Sequence, residues 1–415
     1  VRVLIAWELG EAFGHLARCQ QLAQGLVRRG HAVVLALKDL RLPSRQRLLP
    51  VVAVVPAPST PPLRPAAARM PVNYADVLRH SGFADADDVA ARVEAWQGIF
   101  SLARPDVLVA DHAPTALLAA HLSGVPRAAI GNGFAIPPVE QPWPSIRPWE
   151  ATADETLVAA EQQLDRVTEA AQGVLGRQAA PVRMRQLFGA HDVLDTFAEL
   201  DHYGRRPGAH YVGPIVSVPR ALRVGWQGRE GSRVLAYLRP GMPAFVPIVQ
   251  ALARVDAEVL CVAPGLPPAA ARRLATRRLR IALAPVDLPP LLEAADLAVG
   301  YGNSGFSTQA LLAGVPLLMR PRHVEQALFA RRVQALGAGR LLEGRIEADA
   351  VAMTVQALLD DPLQREAARA FQERHRRFVP EQAIERTLDL IEQTERSLAA
   401  QGPQPRQEDP TACLH

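Results

Sequence analysis

Gly14-His15 and Asp111 are the residues of this chain whose type and setting best suit acid–base chemistry. Each follows a short apolar run that reads as a buried strand, Val1–Ala6 before the first and Val107–Ala110 before the second. A neutral imidazole near pH 7 can take a proton from a hydroxyl as that hydroxyl attacks an electrophile. A carboxylate at the end of a neighbouring strand could bond the far ring nitrogen, fix the tautomer and favour the imidazolium that forms. Gly14 lets the backbone approach a substrate. The competing readings are a polar residue at a helix N-terminus for His15 and a helix N-cap for Asp111, and His112 is a rival base.

A second constellation runs from Val299 to Gln326. The apolar Leu297-Ala298-Val299 reads as a strand, and Gly300, Gly302 and Gly305 permit a sharp turn with exposed backbone. Ser304 or Ser307 could cap a helix running through Gln309 to Ala313, which Gly314 and Pro316 stop. Unpaired N–H groups and the positive end of the helix dipole converge there, which suits a phosphate. An ordinary strand–loop–helix connection is the alternative. Glu325-Gln326, between a strand and a helix, offers a carboxylate and an amide to adjacent hydroxyls of the kind a sugar presents, or else an acid that complements a helix dipole. Asp85-Ala86-Asp87 is formally an Asp-x-Asp, but it sits in a polar helical segment and reads as a solvated helix start, so no metal is expected.

The elements that must position these residues alternate along the chain. Strand Val1–Ala6, a helix from Leu16 to Gly30 and strand Ala32–Leu37 form a β-α-β unit, whose strands should be parallel. Strand Val51–Val55, a Pro-rich loop over Pro56–Pro71, a mostly helical Asp76–Ala103, strand Pro105–Asp111, helix Ala116–Leu122 and strand Arg127–Ile130 complete a doubly wound pattern. Gly131–Pro148 is loop-like, 151–203 reads as largely helical, and a second alternation of strands and helices starts at Val234. The predicted organisation is an N-terminal domain over 1–213, a linker over 214–232, a C-terminal domain over 233–398 whose last helices cross back, and a flexible tail over 399–415. The fold class is α/β: two Rossmann-like, doubly wound parallel-sheet domains facing across a cleft. Trp7–His15, Asp111-His112 and Gly300–Ser307 all lie at carboxyl ends of strands, where such a cleft takes its ligand.

Composition narrows the function. The 415 residues are apolar enough for sizeable cores, and the net charge of +4 comes from widely spread arginines. Arg272, Arg273, Arg277, Arg278 and Arg280 form the densest basic run, but no aromatics interleave with it, so it reads as a solvated helix face and not a nucleic-acid surface. Cys19, Cys261 and Cys413 indicate neither a disulfide framework nor a zinc site. No apolar run approaches a membrane span and no signal-peptide pattern opens the chain, so a cytoplasmic protein is expected; its oligomeric state is open.

Taken in order, Gly14-His15, Leu26-x-x-x-Gly30-His31, Asp111, Gly314-Val315-Pro316, Glu325-Gln326-Ala-Leu-Phe-Ala-Arg-Arg-Val and Leu336-Gly337-Ala338-Gly339 resemble the GT-B glycosyltransferases. The resemblance is closest to the bacterial UDP-glycosyltransferase-like group that decorates natural products, and it covers nearly the whole chain. It implies inverting, metal-independent transfer of a hexose from a nucleoside-diphosphate sugar (UDP or dTDP), a co-substrate and not a cofactor, to a hydroxyl-bearing small molecule. His15 would be the base and Asp111 its partner. Gly302–Ser307 would hold the diphosphate through backbone N–H groups helped by Ser304 or Ser307, with Gln309 at the ribose and Glu325 and Gln326 at the sugar. Arg239, in the loop Arg239-Pro240-Gly241, would add a cation, and Ala284, Pro285 and Val286 would lie against the base. Trp7, Gly14, Phe134 and Trp143, with Trp149 near them, would meet the acceptor. Tyr301 stands where relatives usually carry a phosphate-binding His, Asn303 where Gly is common, and Phe306 where a hydroxyl is usual. Two alternatives compete: a silent auxiliary protein that binds a nucleotide sugar, and a nucleotide-sugar epimerase of the same fold.

Overall fold

The computed structural model describes residues 1–10, 12–40, 53–59, 70–177, 180–189, 191–215, 221–228 and 230–399. Positions 51 and 52 of the predicted third strand, most of the Pro-rich loop, part of the linker, and the tail from 401 with Cys413 lie outside them. Two units result. The first comprises Val1–Ala198, Arg205–Ile215 and the helix from Pro380; the second comprises Glu199–Gly204 and Val216–Val379.

In the first unit, among the described residues, seven parallel strands line up as β3-β2-β1-β4-β5-β6-β7. They are β1 (Arg2–Trp7), β2 (Ala32–Leu37), β3 (Ala53–Pro56), β4 (Val107–Asp111), β5 (Arg127–Gly131), β6 (Val193–Leu194) and β7 (His210–Tyr211). The central strands are apolar apart from Arg2, Arg127 and Asp111 at their ends and are largely buried, as expected of a parallel sheet covered on both faces. β4 is buried along its whole length, including its terminal carboxylate. The second unit holds six parallel strands in the order β10-β9-β8-β11-β12-β13. These are β8 (Ser232–Tyr237), β9 (Ala257–Val262), β10 (Leu279–Ala282), β11 (Leu297–Gly300), β12 (Leu317–Met319) and β13 (Gly339–Leu341). Val234, Ala236, Val259, Cys261, Leu297 and Val299 form its core with Ile248, Leu252 and Val355 from the covering helices.

Several local expectations change. Helix α1 spans Ala12–Arg28, so His15 lies in its first turns and not in the preceding loop. The turn is made earlier, at Gly10, whose φ of 89° is left-handed. The helical stretch from Asp76 is two helices, α2 (Tyr74–His80) and α3 (Ala86–Ala103), separated where Gly82 adopts φ 103°. Asp85 caps α3 by accepting from the N–H of Asp88, as its reading as a helix start implied. After α4 (Pro114–Leu122), only α5 (Asp154–Val174) carries the long helix expected over 151–203. The remainder holds short 3-10 turns and β6, a strand too short to show a period in sequence.

The last helix, α6 (Pro380–Ala399), packs on α1. Ala383, Thr387, Leu388, Ile391 and Thr394 are its buried face, spaced as one helical stripe. Gly25 of α1 makes room for Leu388, since a Cβ there would fall 2.5 Å from Leu388 Cδ1. Arg29 adds partly exposed bonds to Glu385 at 2.5 Å and Asp389 at 2.8 Å. Apolar packing should outweigh these charges. Leu388→Ala is expected to cost about 2–5 kcal/mol, and Arg29→Ala at most about 1 kcal/mol, in urea unfolding. The reverse order would show that ion pairs hold this helix.

Candidate active site

The order of the first sheet reverses between β1 and β4, with β2 and β3 on one side and β5 to β7 on the other. The loops leaving β1 and β4 therefore diverge and open a crevice at the strands' carboxyl ends. Trp7 and Asp111 are register partners at that point. His15, entering from α1, places Nδ1 2.7 Å from Asp111 Oδ1. The same carboxylate oxygen accepts from Arg18 Nη1 at 2.6 Å, and Arg18 reaches on through Nε to Asp195 Oδ2 at 2.7 Å. Cys19 directs its thiol at Asp111 Oδ2, 3.8 Å away. Arg18, Asp111 and Asp195 are all buried.

Burial alone would keep both carboxyls neutral, and the partners decide otherwise for one of them. Burial raises Asp111, but Arg18 and then His15 outweigh it and hold this carboxyl below its usual range. Asp195 is the other case. Burial, with some repulsion from Asp111, exceeds the attraction of Arg18 and pushes it up to about 6. Asp111 is thus a firmly ionised partner for the imidazole, and Asp195 is the carboxyl that titrates. Burial disfavours the charge of Arg18, but the two carboxylates overcome this and raise its pKa.

The imidazole is held from its face as well. Trp7 stacks on it with centroids 5.6 Å apart and planes 12° from parallel. The indole is fixed by donating from Nε1 to Leu9 O at 2.7 Å, while Leu9 N–H donates to His112 O at 3.0 Å. Buried Glu8 ties the same loop to α4 by accepting from the N–H groups of Thr115 at 3.0 Å and Ala116 at 2.9 Å, and from the indole of Trp96. These bonds bring Gly10 over the imidazole. A Cβ at Gly10 would fall 2.3 Å from His15 Nε2. The nitrogen that Asp111 does not use packs against the Gly10 backbone, and the His15 side chain keeps 20% of its surface exposed. Gly14 is helical and exposed, with open space where a Cβ would stand.

The second unit repeats the topological feature between β8 and β11. The loop Arg239-Pro240-Gly241 leaves β8 and the Tyr301–Asn303 turn leaves β11. Tyr301 joins them: its hydroxyl accepts from Arg239 N–H at 3.2 Å and donates to Arg239 O at 3.3 Å. Burial raises its pKa, only partly offset by Arg239 and Arg322, so the hydroxyl keeps the proton it donates. Gly302, at φ 77°, packs so closely on the next helix that a Cβ would lie 2.9 Å from Ala330 Cβ and 3.0 Å from Gln326 O.

Helix α7 spans Ser304–Leu312 with Asn303 as its N-cap, and no side chain bonds the cap. Neither Ser304 nor Ser307 has the capping role expected of it. Ser304 is the first helical residue because Asn303, extended at φ −71° and ψ 136°, ends the turn before it. Ser307 is buried with its hydroxyl unpartnered, and Phe306 is buried against Tyr237. Asn303 is exposed, Ser304 and Gly305 are half-buried, and Gln309 donates to Gly305 O at 3.2 Å. Glu325 and Gln326 lie in the first turn of α8 (Val324–Ala335) and not before it. Gln326 is buried and accepts from Arg322 N–H at 3.0 Å, whereas Glu325 is half-buried. The carbonyl of Pro285 accepts from Leu222 N–H at 2.8 Å and Asp287 N–H donates to Leu222 O at 2.9 Å. That bridge turns the N–H and C=O of Val286 to the opposite side, although its side chain is buried.

Trp7, Phe134 and Trp143, expected at an acceptor surface, are core residues of the first unit, while Trp149 is exposed. Tyr74 gathers Phe134, Trp143 and Phe188 around it edge-on, at 6.0, 5.7 and 6.3 Å. Tyr74 also neighbours His112, whose ring is 6.0 Å from that of His15. Sequence reasoning passed over Gly10, Arg18, Tyr74 and Asp195. Only Gly10 carried a usable signal, as a glycine between a strand and a helix.

Residues 247–389 match the family described as erythromycin biosynthesis protein CIII-like, C-terminal domain. The PGL/p-HBAD biosynthesis glycosyltransferase of Mycobacterium tuberculosis is 27% identical over 318 residues, which cover 69% of this chain and 71% of that protein. Glycosyltransferase GtfC of Amycolatopsis orientalis is 39% identical over 75 residues, 18% of either chain. Among solved structures, glycosyltransferase VinC in complex with dTDP superposes with a TM-score of 0.67 at 17% identity, covering 95% of this chain and 100% of that one. Spinosyn rhamnosyltransferase SpnG complexed with spinosyn aglycone gives 0.63 at 18% identity, covering 94% and 100%. The chain has the GT-B fold of these structures, and its sequence similarity is to glycosyltransferases. Among the described residues no helix is long and apolar enough to cross a membrane.

The Asp195 carboxyl supplies a test of the buried network. Its folded pKa of about 6 lies above the ordinary 3.8. Its contribution to stability is therefore fully present below about pH 4 and is lost as pH rises through about 6. The melting temperature of Asp195→Asn relative to the unsubstituted protein should rise between pH 4 and pH 6.5 and then level. A difference that is flat or falls over this range would remove Asp195 from the network.

Proposed function

We propose that this glycosyltransferase moves a hexose from a UDP- or dTDP-sugar to a hydroxyl of a small natural product, in the cytoplasm, by an inverting and metal-independent displacement. The observation that supports it most is the His15–Asp111 pair, whose imidazole stays partly exposed while the carboxylate is buried. An acceptor hydroxyl that reaches Nε2 donates to it. Its oxygen attacks the anomeric carbon from the face opposite the diphosphate. The new C–O bond forms as the bond to the diphosphate breaks, the hydroxyl proton passes to Nε2, and the nucleoside diphosphate leaves with the electron pair. Asp111 stabilises the imidazolium, and one displacement inverts the anomeric centre.

In the donor half, the free N–H groups at the start of α7 bind the diphosphate. Val286 meets the base through its backbone, Gln309 the ribose, and Glu325 with Gln326 the sugar hydroxyls. Arg239 adds positive charge in place of a metal. Acceptor recognition falls to the surface beside half-buried His112, with the buried Tyr74, Phe188, Phe134 and Trp143 packed behind it. The VinC complex with dTDP and the SpnG complex with spinosyn aglycone support the two substrate classes, a nucleoside-diphosphate donor and a small-molecule acceptor.

His15→Ala should lower kcat by roughly 10²–10⁴-fold while UDP or dTDP affinity stays as in the unsubstituted protein. Gly10→Ala should also lower kcat, because a Cβ there clashes with Nε2 and displaces the imidazole. Turnover by His15→Ala at the unsubstituted rate would withdraw the base assignment.

A further inference from the structure

The loop between β12 and α8 carries a cation that the proposed chemistry has not used. Arg322 lies one residue before the N-cap of α8, with its N–H accepted by Gln326 Oε1 at 3.0 Å. Its guanidinium stands over the Tyr301 ring, 5.6 Å from the centroid. Its Nε is buried without a partner, and among the described residues the guanidinium makes no hydrogen bond or ion pair. The neighbouring arginines differ. Arg320 donates to Leu342 O and Gly344 O at 3.0 Å each, and Arg331 pairs with Glu343 at 2.9 Å.

Tyr301 is the platform for this cation and has no hydroxyl function left for a ligand, because Arg239 engages its oxygen both as acceptor and as donor. The turn that follows Tyr301 is pinned to α8 through Gly302, so Arg322 and the start of α7 belong to one packed group. Helix α7 has nine residues, and the N–H groups of Ser304, Gly305 and Phe306 lack intrahelical acceptors by its geometry. A partly buried guanidinium without a hydrogen bond, held on the ring of Tyr301 three residues before those N–H groups, is a setting for a doubly charged anion.

We infer that Arg322 is a diphosphate-binding residue of the donor site, held in place by stacking on Tyr301. The aromatic ring supplies the support and the guanidinium the charge. This inference rests on the donor-site reading above and assigns it a residue that neither the sequence motifs nor the comparisons single out.

Calorimetric titration of the full chain with UDP, dTDP and the corresponding nucleosides tests it, on the unsubstituted protein, Arg322→Ala, and Arg322→Met, which keeps the aliphatic stem. A charge-assisted contact is worth enough that either substitution should weaken diphosphate binding roughly tenfold or more. Nucleoside affinity should not change, and Arg322→Lys should recover part of the loss. Salt should weaken diphosphate binding less in Arg322→Met than in the unsubstituted protein. Equal diphosphate affinity in the unsubstituted protein and Arg322→Met would overturn the role of Arg322 and leave the donor site standing. Failure of the unsubstituted protein to bind either diphosphate would overturn the donor site and this inference together.

Discussion

The carboxylate of Asp111 is buried at the end of a central strand, and the first unit is arranged around keeping it charged. An ion in that position is tolerable only with close partners. Arg18 and His15 are those partners, at 2.6 and 2.7 Å, and both come from α1. The requirement fixes where α1 starts and which face it turns to the sheet. It also explains the surrounding packing. Trp7 limits the tilt of the imidazole, and Glu8 holds the loop that carries Gly10. Gly10 itself lets the backbone pack closely against the nitrogen of His15 that Asp111 does not occupy.

The second unit meets a different requirement with the same topology. An anionic donor needs backbone N–H groups and cations, and the strand-order reversal between β8 and β11 brings loops together for that purpose. Tyr301 is central to this half because it links the loop after β8 to the turn after β11 and carries Arg322 on its ring. The substitution that looked like a loss when compared with the family's usual His is a structural joint.

Most of the architecture could be read from the sequence, since strands buried on both faces appear as short apolar runs and helices as longer periodic ones. Asp111 and the glycine turn were visible because each follows such a run directly, and His15 because only a short loop and a glycine separate it from one. Arg18 and Asp195 were not, for their meeting depends on the order of β4, β5 and β6 across 177 residues of separation. The short strands β6 and β7 escaped for want of length. The roles of Ser304 and Ser307 were misread because a serine after a glycine turn looks like a cap, and only the backbone angles of Asn303 show that the helix already begins at Ser304. The burial of Trp7 and Trp143 was hidden for a related reason: an aromatic near a predicted site has the same signature whether it faces substrate or core.

The claim on which the account depends is that Asp111 keeps the proton of a neutral His15 on Nδ1 and leaves Nε2 bare. Nitrogen-15 NMR of the histidine rings at pH 8, with His15 assigned by comparison with His15→Gln, measures this without any substrate. The account predicts a His15 ring protonated at Nδ1 only, and a shift toward the Nε2-protonated form in Asp111→Asn. A ring that carries its proton on Nε2 in the unsubstituted protein would contradict it.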